Sequence, residues 1–347
     1  MRLVRRLCIG VPTRLYLLAG SLALLVRTDA LIVPGTGLLN DAYGVFAWGP
    51  LNIWKWTLMA KLCRCKVFFV SVGAGPIYGT AGKMLVRSAL AMADGRSYRD
   101  DSSKRYLRDL GMGRDDDPVY PDLVFSYPVI AEPRRLTEVD AKPIIGVGLM
   151  DYAWRYSVAN PSSNTPELYR SALATFVEWA ADRGNRIRLL TGDMADLKTV
   201  EEFVGSLPSD LAQHVTSTEI DSVGSLLVAI NDCDLVVATR FHNVLVSLLY
   251  EKPTIAIAFH HKCDELMRSV QAERYCLDIN SLDSDQLIAA FEDLVLDSER
   301  ATGVIRARIG CFRALLEEQY DSIFARVWPD SLAARAKRVE LRNVKRV

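Results

Sequence analysis

Short apolar runs alternate with helix-length segments along most of this chain, and no other feature limits its fold as tightly. "ALIVPGTG" (30–37), "KVFFVSVGAGP" (66–76) and "PIIGVGLM" (143–150) are apolar almost throughout. A strand with one wet face alternates in polarity; a strand buried on both faces does not. Between these runs, 51–64, 79–92 and 102–110 have helical spacing, and "GRSYRD" (95–100) reads as a short strand. A strand–helix–strand order calls for a parallel sheet covered on both sides.

Polar, proline-punctuated segments at 114–118 and 131–143 interrupt the order. It resumes with helix 167–183, strand 187–192, helix 196–205, strand 214–217 and helix 222–231. Strand 234–239, helix 243–250, strand 253–259 and helices 262–270 and 283–297 follow. Residues 300–326 read as a last helix and 330–347 as a basic tail. A chain of 347 residues suits two domains of about 150 each. The expectation is an α/β protein of two Rossmann-like, doubly wound domains facing a cleft. They span 1–135 and 143–300, with a C-terminal helix and tail over 301–347.

Composition removes several function classes. Lys+Arg and Asp+Glu are both 42, so the whole-chain field that favours nucleic acid is absent. The 7 cysteines are odd in number, and four lie in or beside apolar runs, which indicates reduced thiols in a cytoplasmic protein. HExxH, GxSxG, GxxxxGK[ST] and CxxC do not occur. "GTGLLN" and "GAGPIY" fall short of GxGxxG, so no nicotinamide cofactor is expected, and no metal. The start, "MRLVRRLCIG", is basic, and the apolar run 15–26 is shorter than the ~20 residues that span a bilayer. It reads as a buried or interfacial helix whose basic flank suits an anionic membrane surface, with a signal or anchor as the alternative.

Three of the 4 histidines fall within "DLVVATRFHNVLVSLLYEKPTIAIAFHHK" (234–262). His242 follows one apolar run with Arg240; His260, His261 and Lys262 follow the next. Both runs predict strands leading straight into helices, and open α/β sheets bind ligands beyond the carboxyl ends of their strands. Helix N-termini attract anions, and an arginine matches a carboxylate or phosphate with two parallel donors. Lys262 would open a helix, the wrong end for a cation unless an anion is near. Arg240, His242, Lys262 and His261 are therefore candidate anion contacts. The alternatives are an ion pair from Arg240 to a structural carboxylate such as Asp234, and helix caps made by His242 and by one of His260 and His261. Gly35, Gly37, Gly73 and Gly75 follow the first strands and either let a ligand approach the backbone or make tight turns. Tyr152 and Trp154 lie in a loop, where they would meet a sugar face or pack back on the domain. Asp193 is a candidate base or hydroxyl binder.

In this order the residues resemble the polysaccharide pyruvyl transferase family. The 234–262 segment looks like its signature: Arg-x-His after a strand, a helix, a Pro-led strand, then Lys. "DALIVPGTGLLND" resembles its glycine turn ending in Asp41, and "VSVGAGP" its second turn. "YRDDSSKRYLRDLG" is similar to its Arg-Asp-x-x-Ser helix start through Arg99, Asp100 and Ser103, and "YPDLVF" to its Asp122 segment. The resemblance spans 29–270.

The resemblance implies a GT-B-like fold and transfer of pyruvate from phosphoenolpyruvate onto sugar hydroxyls as a ketal. The setting it implies is assembly of a cell-surface polysaccharide or exopolysaccharide, with a sugar or lipid-linked oligosaccharide as acceptor; the cysteines add a cytoplasmic location and the basic start adds peripheral contact with the membrane surface. It implies that Arg240 and His242 contact the donor, with His242 as acid and base, and that Lys262 and, more weakly, His261 add anion contacts. Gly35, Gly37, Asp41, Gly73, Gly75 and Arg99 in the matching first-domain motifs, with the loop aromatics Tyr152 and Trp154, are the candidate acceptor-side residues. The sequence departs from the pattern in lacking the family's leading βα unit with its Asn-x-Gly-Asp turn, and in having "PGTG" for a fuller glycine run. Two other readings stand beside it: a GT-B glycosyltransferase using a nucleotide sugar, and a non-catalytic remnant of the family.

Overall fold

The computed structural model describes residues 11–35, 37–41, 44, 49–129, 142–152, 165–208, 211–217 and 220–329. The chain divides into two compact units, Met1–Ser126 with Phe312–Val347, and Tyr127–Cys311.

The first unit contains β1 (Ala30–Pro34), β2 (Lys66–Val72) and β3 (Gly95–Tyr98), parallel and adjacent in that order. β2 is central and buried from Val67 to Val72, as its unbroken apolar run requires. The helices are α1 (Val11–Leu25), α2 (Pro50–Leu62), α3 (Thr80–Met92) and α4 (Asp101–Asp109). Their apolar faces supply Leu25, Ile53, Met59, Val86, Leu90 and Leu107 to a core built on Val67, Phe69 and Val72. Pro50 opens α2, where a missing N–H costs nothing. Asp100 caps α4 by accepting the Ser103 N–H at 2.6 Å. Burial works against the Asp100 carboxylate, but the hydroxyls of Ser103 and Ser102 and the Ser103 N–H outweigh it and hold the pKa below its ordinary value.

The last helix, α11 (Ser298–Val327), matches the 300–326 expectation. From Phe312 onward it belongs to the first unit. Gln319 donates from Nε2 to Ser97 Oγ at 2.7 Å and to Ser71 Oγ at 3.2 Å, fixing the helix against the buried faces of β3 and β2.

The second unit contains β4 (Ile144–Gly148), β5 (Arg186–Leu190), β6 (Val215–Ser217), β7 (Leu235–Ala238), β8 (Thr254–Ala258) and β9 (Cys276–Asp278). All neighbours are parallel, in the order β6-β5-β4-β7-β8-β9. The chain winds outward from β4, then returns to place β7 on its other side. This is the doubly wound order, with its topological switch point between β4 and β7. The helices are α5 (Thr165–Asp182), α6 (Leu197–Ser206), α7 (Val223–Asn231), α8 (Phe241–Leu249), α9 (His261–Ser269) and α10 (Ser284–Leu296). β9 was not expected from the sequence; three residues are too few for any periodicity to show. α8 and α9 begin earlier than the 243 and 262 expected from spacing, because Arg240 and His260 stay extended and each serves as the N-cap.

Candidate functional site

Ala238 of β7 is level with Gly148 of β4 on one side and with Ala256 of β8 on the other. The residues beyond these positions therefore share one carboxyl edge. Arg240 leaves β7 at the switch point with its side chain 9 % exposed. Its Nε donates to Asp196 Oδ2 at 2.8 Å and its Nη2 to Asp196 Oδ1 at 2.5 Å. Asp196, just before α6, is fully buried, and its Oδ1 also accepts the Asp151 N–H at 2.9 Å. Burial pulls the Arg240 pKa down, but the hydrogen bonds and charge of Asp196 outweigh it and the pKa is raised. The remaining nitrogen, Nη1, lies 4.0 Å from Asp193 Oδ2 and makes no hydrogen bond among the described residues. Asp193 itself accepts the Ala195 N–H at 3.2 Å.

The structural carboxylate beside Arg240 is thus Asp196, not Asp234. Asp234 precedes β7 and accepts the Ile144 N–H at 2.8 Å, so the length of the strand separates it from Arg240. Next to Arg240, the Thr239 hydroxyl sits 2.8 Å from the Tyr169 phenol, which also accepts the Met150 N–H at 3.2 Å. Burial pushes the Tyr169 pKa up to about 12, against the bonds from Thr239 and Met150, so the phenol keeps its proton.

Two glycines make room for this cluster. A Cβ on Gly192 would stand 2.9 Å from Cβ and Cγ of Arg240 and 3.0 Å from Asn243 Oδ1. A Cβ on Gly148 would stand 2.8 Å from Asn243 Nδ2. Asn243, in the first turn of α8, is fully buried, and its amide has no hydrogen-bond partner among the described residues. Gly192→Ala is expected to cost about 1–3 kcal/mol by overpacking and to weaken anion binding by shifting Arg240. Urea melts read the first effect and anion titration the second. An unchanged midpoint with full binding would show that Arg240 and Asn243 yield freely.

His242 is exposed in the first turn of α8, with Phe241 edge-on at 5.8 Å between ring centroids. His260 caps α9: its Nδ1 accepts the Lys262 N–H at 3.3 Å. Its ring lies 4.0 Å from that of His261, which is exposed. Lys262 is half-buried in the same turn. Two adjacent strands thus deliver Arg240 with His242, and His260, His261 and Lys262, to one edge, each group at a helix start.

The candidates in the first unit make their close contacts within the protein. Asp41 accepts the Tyr78 N–H at 2.8 Å and the Gly79 N–H at 2.7 Å, capping the start of α3. A Cβ on Gly35 would meet the Ser71 carbonyl at 2.6 Å, and one on Gly73 the Arg99 guanidinium at 2.8 Å. Arg99 pairs with Asp100 at 3.1 Å and Asp122 at 3.5 Å. Gly75 has φ +98°, a conformation that favours glycine, and faces the Tyr106 ring. Gly37 is exposed, and its carbonyl accepts from the Asn40 amide. Of the two readings of Tyr152, the structure shows packing on its own unit: it is buried, 6.4 Å from the Tyr169 ring between centroids. Trp154 lies outside the described residues. Sequence reasoning missed Asp196, Asn243, Gly148 and Gly192. The available signal for Asp196 was "TGDMAD", a second carboxylate one helical turn past the strand end that had already marked Asp193.

A family model described as polysaccharide pyruvyl transferase matches residues 5–261. Among solved structures, the chain is similar to the Anabaena protein HepE in complex with UDP and glucose, at 14% identity and a TM-score of 0.51, covering 88% of this chain and 80% of that one. It is similar to a Listeria monocytogenes putative UDP-N-acetylglucosamine 2-epimerase, at 11% identity and a TM-score of 0.55, covering 88% and 79%. It is also similar to the Neisseria meningitidis UDP-GlcNAc 2-epimerase bound to UDP-GlcNAc, at 11% identity and a TM-score of 0.52, covering 88% and 81%. These likenesses show the fold: parallel-sheet, Rossmann-like α/β domains of the kind found in GT-B glycosyltransferases and epimerases.

Proposed function

The chain belongs to the polysaccharide pyruvyl transferase family, and from that premise we propose that it moves pyruvate from phosphoenolpyruvate onto two hydroxyls of a sugar acceptor. The observation that carries this reading is Arg240 at the switch point, held on two nitrogens by Asp196 with Nη1 4.0 Å from Asp193, beside two helix starts that carry His242 and Lys262. Phosphoenolpyruvate presents a carboxylate and a phosphate on a three-carbon frame. An arginine and a lysine at helix N-termini supply cationic donors to both.

His242 protonates the methylene carbon, which leaves C2 electron-poor. A sugar hydroxyl adds to C2 and gives its proton back to the imidazole. The C2–O bond to phosphate breaks with its electron pair on phosphate. The second hydroxyl closes the ketal, and its proton leaves with phosphate. Arg240 and Lys262 stabilise the charge that develops on the departing group. We place the reaction in the cytoplasm, where phosphoenolpyruvate is made, with a sugar or lipid-linked oligosaccharide as acceptor.

The alternative donor is a nucleotide sugar, favoured by the UDP and UDP-GlcNAc that two structural neighbours contain. A melt series separates the two, since a ligand that binds only the folded chain raises Tm. A Tm rise with phosphoenolpyruvate, and phosphate release once a glycoside acceptor is added, is expected. A rise with UDP-sugars alone would replace this reading with the glycosyltransferase, and no response to either donor would mark a non-catalytic member.

A further inference from the structure

α1 exposes an apolar face that the first unit does not cover. Tyr16 is 79% exposed, Leu17 60% and Leu24 61%, and Val26, just past the helix, is 70% exposed. Tyr16, Gly20 and Leu24 recur every four residues, and Leu17 and Leu24 are seven apart, so they share one side of the helix. Leu22 and Leu25 turn the other way, into the core. No charged residue falls between Arg14 and Arg27.

The sequence around this face is strongly basic: the first 28 residues contain five arginines (2, 5, 6, 14 and 27) and no carboxylate before Asp29, in a chain whose total charge balances. A protein partner of mixed charge has no use for so uniform a flank; a sheet of anionic headgroups does. Among the described residues no helix is long and apolar enough to cross a membrane. Alongside α1's exit, Thr28, Asp29 and Ile32 line a shallow apolar groove of about 340 Å³ with Phe324, Val327 and Trp328.

We infer that α1 docks the protein on an anionic membrane surface, its exposed leucines and Tyr16 entering the headgroup layer and the arginines pairing with lipid phosphates. The inference does not depend on the donor, because binding is read without any donor present. The full chain should co-sediment with vesicles containing phosphatidylglycerol, weakly with pure phosphatidylcholine vesicles, and less at high salt. Leu17→Glu/Leu24→Glu should lower binding at least about tenfold. Its Tm should not change, since both side chains are exposed. Equal binding by wild type and the double variant would overturn the inference, as would no binding to anionic vesicles at low salt. So would a concentration-dependent dimer in sedimentation that the double variant abolishes, which would assign the face to a second copy of the chain.

Discussion

Asp196→Ala lowers the folding free energy by about 3–5 kcal/mol, because it leaves a buried guanidinium without its counter-charge. Both partners are out of water, with Asp196 fully buried and Arg240 9 % exposed on its side chain, so solvent cannot take over the role. The variant also removes the carboxylate oxygen that accepts the Asp151 N–H. A urea melt reads the loss as a lower midpoint at unchanged slope. Replacing both partners, as Asp196→Leu with Arg240→Met, should recover most of the stability, since an apolar pair of similar volume does not pay for desolvating two ions. It should not recover donor binding. A double variant that stays as unstable as Asp196→Ala, or one that still binds phosphoenolpyruvate, would show that the pair does not hold the arginine for a ligand.

His242→Ala should reduce turnover by about 10²–10⁴, the usual contribution of a positioned acid or base. The His242 side chain is exposed, so the fold has little to lose and Tm should stay within a degree or two of wild type. Phosphoenolpyruvate should still raise Tm, because Arg240 and Lys262 remain. The informative pattern is kcat lost with binding kept. Full turnover would remove His242 from the mechanism. Loss of the donor-induced Tm rise along with turnover would make His242 a binding contact instead.

The fold was legible wherever burial forces a continuous apolar run. "LVVA" and "TIAIA" could be neighbouring core strands and little else, and they are. The site was legible only on the strands that follow each other in sequence. Arg240 and Lys262 stood out because the chain names them in one segment. Asp196 comes from the loop after β5, on the far side of the switch point, and its link to Arg240 is a product of strand order that no local pattern records. Gly148 and Gly192 are equally silent in sequence, since each matters only through the side chain that another strand brings against it. In the first unit the sequence is ambiguous: a glycine that admits an arginine, like Gly73, and an aspartate that caps a helix, like Asp41, leave the same trace as ligand contacts.

His260 is fixed as a tautomer by the bond it makes. An imidazole whose Nδ1 accepts a backbone N–H keeps its own proton on Nε2. To take up a second proton it must surrender that acceptor, and with it the cap on the turn that carries Lys262. Of the three clustered imidazoles, this one is therefore barred from shuttling protons while α9 keeps its start. Its place at this edge is to hold the turn from which Lys262 extends.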